Sequence, residues 1–122
     1  MAEMSVELVA PDRLLWTGDA TFVFARTTEG EIGVLPHHIP LVAELIEGEM
    51  VRIDTVGGDQ IFAAVHGGFL SVTDRGVSIL AEGADLREEI DADAARRDLD
   101  SEDEATRNRA KARLRALGEA QV

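Results

Sequence analysis

Three histidines, the adjacent His37 and His38 and the distant His66, are the side chains best equipped for chemistry in this chain. Imidazole nitrogens ligate zinc, iron and manganese, and Glu31 or Glu44 would supply the oxygen ligands of such a set. Spacing argues the other way. Neighbouring residues on a strand point to opposite faces, so His37 and His38 would not share an ion, and nothing else stands at a ligand interval. Ser5, Ser71, Ser78 and Ser101 lack the sharp glycine-flanked turn or the neighbouring base that makes a hydroxyl nucleophilic. Gly30 and Gly33 have no strand-to-helix setting and so do not form a phosphate loop. Cysteine is absent, which removes disulfides, thiolate metal sites and thiol nucleophiles.

The elements that must position these residues divide the chain in two. Residues 1–84 read as an all-β domain. Turn signals recur at Gly18-Asp19, Glu29-Gly30, Glu47-Gly48, Gly57-Gly58 and Asp74-Arg75-Gly76, with short β-branched or aromatic runs between them. Alternation along 50–55 places Val51 and Ile53 on one face, and Ile61, Ala63 and Val65 answer them on the return strand. Gly57-Gly58 reads as a two-residue hairpin connection with positive φ at both positions. Gly67-Gly68 marks a bulge or a close backbone approach, and Phe22 and Phe24 are the largest side chains of the other half. Residues 85–122 read as a helical hairpin. Asp91 caps a first short helix, Ser101 with Glu104 forms a capping box for a second, and Gly118 stops it. The acids of the second helix precede its arginines, the order that the helix dipole favours. Its apolar stripe is thin, with Ala110, Leu114 and Leu117 on one face and Ala105, Ala112 and Ala116 nearby, so its docking should be weak and switchable.

Charge narrows the functions further. The 122 residues carry a net charge of −12 with 4% aromatics and no tyrosine, which disfavours nucleic acid and anionic lipid as partners. The β part holds 13 acidic and 4 basic residues, and the tail holds 11 and 8, so the tail is far denser in charge. No run approaches the roughly 18 apolar residues of a membrane span. The opening residues lack the basic stretch of a secretory signal.

The order of residues is more specific. Gly30-Glu31-Ile32-Gly33-Val34-Leu35-Pro36-His37-His38-Ile39-Pro40-Leu41 resembles the signature stretch of the epsilon subunit family of F-type ATP synthases. Gly67-Gly68-Phe69-Leu70-Ser71-Val72 and Val77-Ser78-Ile79-Leu80-Ala81-Glu82 follow in that family's order. The opening Val6-Glu7-Leu8-Val9-Ala10-Pro11 with Thr17-Gly18 matches its first strands.

The resemblance implies a ten-stranded β-sandwich followed by a C-terminal α-helical hairpin, in a stalk subunit with no active site of its own. It implies the gamma subunit and the membrane ring of c subunits as partners, and the alpha and beta subunits as contacts of the helices when these extend and block ATP hydrolysis. A peripheral place on the cytoplasmic face of the bacterial plasma membrane follows; a single lysine among twelve basic residues also suits a bacterial, GC-rich source. Carried over residue by residue, Glu31 and His38, with Glu29 beside them, face the c ring. Arg107, Arg109, Arg113 and Arg115 are the tail's candidates for contact with stalk or catalytic sector. No cofactor is implied beyond the regulatory ATP that some relatives bind through Asp-x-x-Arg-Ala. Here Asp91 is followed by Ala94-Ala95, and Arg96 and Arg97 come two and three positions late, turned about 200° and 300° around the helix. Two departures are therefore expected to matter: that missing arginine, and His37 where the family usually has glycine. From the residues alone a second reading stays open, a metal-dependent small-molecule enzyme on a cupin-like β-barrel using His37 or His38 with His66.

Overall fold

Alternating apolar and polar residues form nine strands within residues 2–118, the part described by the computed structural model. In chain order they are β1 (Met4–Ala10), β2 (Arg13–Thr27), β3 (Gly30–Val34), β4 (Leu41–Glu44), β5 (Glu49–Thr55), β6 (Gln60–Val65), β7 (Gly68–Thr73), β8 (Gly76–Ala81) and β9 (Ala84–Leu86). A single 3₁₀ turn, Arg87–Glu89, leads to α1 (Ala92–Asp98) and α2 (Glu104–Ala116). The family resemblance implies ten strands. The described residues form nine, because β2 runs for 15 residues without a break and serves both layers of the sandwich.

The first half of β2 pairs with β1, in a layer ordered β4-β7-β8-β1-β2. Its second half lies between β3 and β5, and β6 and β9 complete the other layer. β1 and β8 run parallel. Leu8, Leu70 and Ile79 from the first layer meet Val23, Val51, Ile53 and Val65 from the second in one buried cluster. Each such side chain contributes about 1.5–3 kcal/mol by leaving water. The alternation expected for β5 and β6 is present, with Val51, Ile53, Ala63 and Val65 all buried.

Phe22 and Phe24 lie outside the core: Val23 and Ala25 point inward, and the two rings lie on the outer face under Arg52 and Arg26, at 5.5 Å in each nearest pairing. Three local expectations need correction. The β5–β6 connection is four residues long, Val56–Asp59, and only Gly58 has positive φ. Thr55 closes it: its hydroxyl donates to the Asp59 carbonyl at 3.0 Å and accepts from the Asp59 N–H at 3.1 Å. The N-cap of α2 is Asp103, whose carboxylate accepts from Thr106 N–H at 3.2 Å. Ser101 instead accepts from Asp103 N–H and shapes the turn before it. His37 and His38 sit in the β3–β4 loop rather than on a strand. Asp91 does cap α1, and Gly118, at φ 88°, follows α2. At Gly68 a side chain would run into the backbone of Leu80 and Ala81, so the glycine pair does mark a close approach.

His37 keeps the backbone shape that glycine would give. Its φ is 70°, the one left-handed non-glycine residue among those described, and its side chain is exposed. An L-residue there costs roughly 1–2 kcal/mol, while glycine loses roughly 0.5–1 kcal/mol more in conformational entropy on folding. His37→Gly is therefore expected to raise stability by about 0.5–1 kcal/mol, seen as a higher urea midpoint with an unchanged slope.

Candidate functional site

The tail lies folded on the sandwich, and alanines make that fit. Ala112 and Ala116 of α2 bury against Ala64 of β6, with Met50 and Ile90 at the edge. Small side chains on both surfaces let the helix axis approach the sheet closely. Ala110 and Leu114 lie about 200° around the helix from Ala112 and are equally buried, on the side where α1 packs with its own buried Ala95. The helix is thus used on two opposite faces, which a single thin stripe did not suggest. Each buried methyl contributes only about 0.8 kcal/mol, so apolar contact alone holds the tail loosely.

Polar ties supply the rest. Arg113 Nε donates to Asp85 Oδ2 at 2.8 Å, and the same oxygen lies 2.8 Å from His66 Nε2. Asp85 is placed for this because β9 sets it across from Ala64 in the register of β6. On the other flank Arg115 donates to Glu49 at 2.9 Å and to the Gly48 carbonyl at 2.5 Å. Glu49 also accepts from Arg26 at 2.9 Å. At the end of the helix Arg87 donates to the Ala116 carbonyl at 2.7 Å, with its guanidinium 3.7 Å above the Phe62 ring. The hydrogen bond from His66, followed by that from Arg113 and its charge, lowers the Asp85 carboxyl to about 2 against the opposing effect of burial.

The other sequence candidates are spread over the surface. Glu31 is exposed on β3 and lies 3.5 Å from Arg26; Glu29 occupies the β2–β3 turn; His38, in the next loop, contacts its neighbour's Ile39 carbonyl at 2.7 Å. No hydrogen bond joins Glu31 to His38. Leu35, Ile39 and Val42 are exposed beside these positions. Asp91 is occupied as a helix cap, accepting from Ala94 N–H at 3.1 Å, and Arg96 pairs with Asp93 at 3.0 Å. Arg97 is exposed. Arg107 donates to the Ser101 carbonyl at 2.8 Å, closing the turn between the helices, and Arg109 lies near Asp103. His66 is turned onto Asp85 and away from the His37–His38 loop, and no cluster of three metal-ligating residues exists among the described residues.

One surface was missed in the sequence. On the outside of the first layer, Leu14, Val9, Leu80 and Phe69 are successive cross-strand neighbours on β2, β1, β8 and β7. Leu14, Leu80 and Phe69 are 56%, 48% and 51% exposed, so they form a contiguous apolar row facing water. A bulge at the Leu8–Val9 step brings Leu14 into line. The parallel row below it is polar: Glu7 accepts from Ser78 at 2.9 Å. Only the partnering of β1 with β8, a long-range feature, would have revealed the row.

Residues 3–87 match the family model described as ATP synthase, Delta/Epsilon chain, beta-sandwich domain. The chain belongs to this family. Within it the similarity is to epsilon chains: that of Mycolicibacterium vanbaalenii is 60% identical over 119 residues, covering 98% of each chain. The epsilon chain of Mycobacterium marinum is 57% identical over 118 residues, covering 97% of this chain and 98% of that one. Among solved structures, a chain of the Euglena gracilis mitochondrial ATP synthase, determined as OSCP/F1/c-ring, superposes with a TM-score of 0.66 at 29% identity, covering 98% of this chain and 79% of that one. A chain from the central stalk and c-ring of the Tetrahymena thermophila enzyme shares the fold, with a TM-score of 0.61 at 19% identity and coverage of 98% and 96%.

In this epsilon-family chain the docked tail should respond to acid in a defined direction. Asp85 has a folded pKa below its unfolded one, so its stabilisation is complete above about pH 4 and is lost as pH falls toward about 2. The amount is on the order of 2 kcal/mol. Asp85→Asn should speed hydrogen exchange along α2 at pH 7, as expected for about 1–3 kcal/mol of lost hydrogen bonding. The variant should lose little more when acidified from pH 4 to 2.

Proposed function

We propose that this chain is a non-catalytic subunit of the rotating central stalk of a proton-translocating F-type ATP synthase, without an active site of its own. It couples the c ring to the gamma subunit, and its C-terminal helices regulate ATP hydrolysis. The observation that carries this reading is the division of labour between the two outer faces. One face presents a bare apolar row on a rigid sheet, and the other holds a helical tail by small side chains and ion pairs.

The gamma subunit docks on the row of Leu14, Val9, Leu80 and Phe69, where burial of exposed apolar surface favours association. The c ring meets Glu29, Glu31 and His38, with Leu35 and Ile39 supplying apolar contact beside them. When the tail is released, Arg113 and Arg115 leave Asp85 and Glu49 and join Arg107 and Arg109 in facing the alpha and beta subunits. Regulatory ATP has no part in this reading, because Asp91 is held as a cap and the usual arginine is absent. No helix among the described residues is long and apolar enough to cross a membrane. We place the chain at the cytoplasmic face of the bacterial plasma membrane, attached through the complex.

Reconstitution onto ATP synthase lacking this subunit tests the reading. Full-length chain and the 1–90 truncation should both bind, since the sandwich core lies within residues 1–84. Only the full-length chain should suppress ATP hydrolysis. Equal hydrolysis with both would leave a coupling subunit whose tail is no brake, and failure of both to bind would end the stalk assignment. Phe69→Glu with Leu80→Glu should weaken binding to gamma by at least about tenfold, the effect of roughly 1.4 kcal/mol, and leave the melting temperature of the free chain nearly unchanged.

A further inference from the structure

Asp85 Oδ2 is shared by two groups that can both be cations. His66 Nε2 and Arg113 Nε each lie 2.8 Å from it. An ionised carboxylate only accepts hydrogen bonds, so the imidazole presents Nε2–H to it. The histidine side chain is 9% exposed, and its other nitrogen, Nδ1, is buried without a polar partner among the described residues. An additional N–H at Nδ1 would be a buried donor with nothing to receive it, on a ring that then carries charge.

The remaining charges around the ring come from three elements. Glu82 stands on the β8–β9 turn, Asp12 on the β1–β2 turn and Arg13 at the start of β2, all lining the same cleft. Arg13 is already matched by Glu89, at 2.6 Å. With the tail docked and the ring neutral, Asp85 is balanced by Arg113 alone.

We propose that His66 is a proton-operated release for the tail, in which a proton on the imidazole and the guanidinium of Arg113 compete for Asp85. Protonation at Nδ1 sets two cations on one carboxylate oxygen, each 2.8 Å from it, where they repel one another. Withdrawal of Arg113 relieves that repulsion. The imidazolium stays paired with Asp85, in a cleft that Glu82 and Asp12 also line. Proton uptake and loss of the arginine therefore leave the charge of the site unchanged. By linkage, mild acid shifts the population toward the undocked tail. Imidazole is the side chain that ordinarily changes charge between pH 5 and 8, far above the range in which Asp85 itself protonates. Arg115 and Arg87 still hold the other flank and the end of α2, so release is graded. What an undocked tail does to ATP hydrolysis rests on the proposed function; the docking equilibrium is a property of the free chain and is tested there.

Hydrogen exchange of α2 amides in the full chain, corrected for intrinsic rates, provides the test at pH 7.5 and 5.5. Protection should fall by about fivefold or more at the lower pH, the size of an ordinary coupling between sites. His66→Gln retains an N–H for Asp85 but takes up no proton, and its protection should be the same at both values. Protection independent of pH in the wild-type chain would overturn the proposal, as would a pH response that survives in His66→Gln. Should that variant fail to fold, proton NMR of the His66 ring decides. Arg113→Ala should move its titration midpoint upward, and an unmoved midpoint means that proton and arginine do not compete.

Discussion

The structure depends on one strand serving two sheets. β2 gives its first half to β1 and its second half to β3 and β5, with an irregularity between Ala20 and Phe22 where it changes layers. Strands twist, so a single long strand can leave one layer and enter the other without a loop. Because Val23 and Ala25 then face inward, Phe22 and Phe24 are obliged to face out, and Arg26 and Arg52 cover their rings. The same strand aligns Leu14 with the apolar row at one end and Arg26 with Glu49 at the other. The apolar row and the tail face are therefore two regions of one continuous hydrogen-bonded ladder.

Much of this was legible in local patterns. Period-two alternation found β5 and β6, Asp91 and Gly118 announced helix ends, and three motifs in order identified the family. The failures share a cause. The size of Phe22 and Phe24 does not tell which way they face, because the side to which a strand turns is set by its partners. Ser101 and Glu104 satisfied a capping pattern, but Asp103 stood nearer and its carboxylate is a strong acceptor for the first-turn N–H groups. Gly57-Gly58 suggested the tightest hairpin, while the Thr55 hydroxyl stabilises a longer one. The apolar row joins residues from β2, β1, β8 and β7, and such a set has no local signature. His66 was weighed for metal chemistry on residue type; its partner 19 positions onward was outside any spacing rule.

The tail is a helix pair whose attachment is more electrostatic than hydrophobic. Three alanines and the edges of Met50 and Ile90 form its apolar seat, and arginines on either side reach down to Asp85 and Glu49. Such attachment has directional strength at little apolar cost when it opens, because the buried part of the seat is alanine and Met50 and Ile90 are only partly covered. It also explains why the arginines follow one another at alternate positions: Arg113 and Arg115 straddle the alanine face, each serving one flank. Charge that seemed a solvated helix surface is partly a fastening.

The bidentate pair between Arg13 and Glu89, at 2.6 and 2.8 Å, fixes the 3₁₀ turn to the β1–β2 hairpin. Glu89 also accepts from the Leu86 N–H, so the chain is anchored to the sandwich until just before Ile90. A swinging tail therefore has its fulcrum there, and the described length of its lever is Asp91 to Gly118. Straightened into one uninterrupted helix, that length measures about 40 Å. The position of a single arginine thus sets the point from which any such lever is measured.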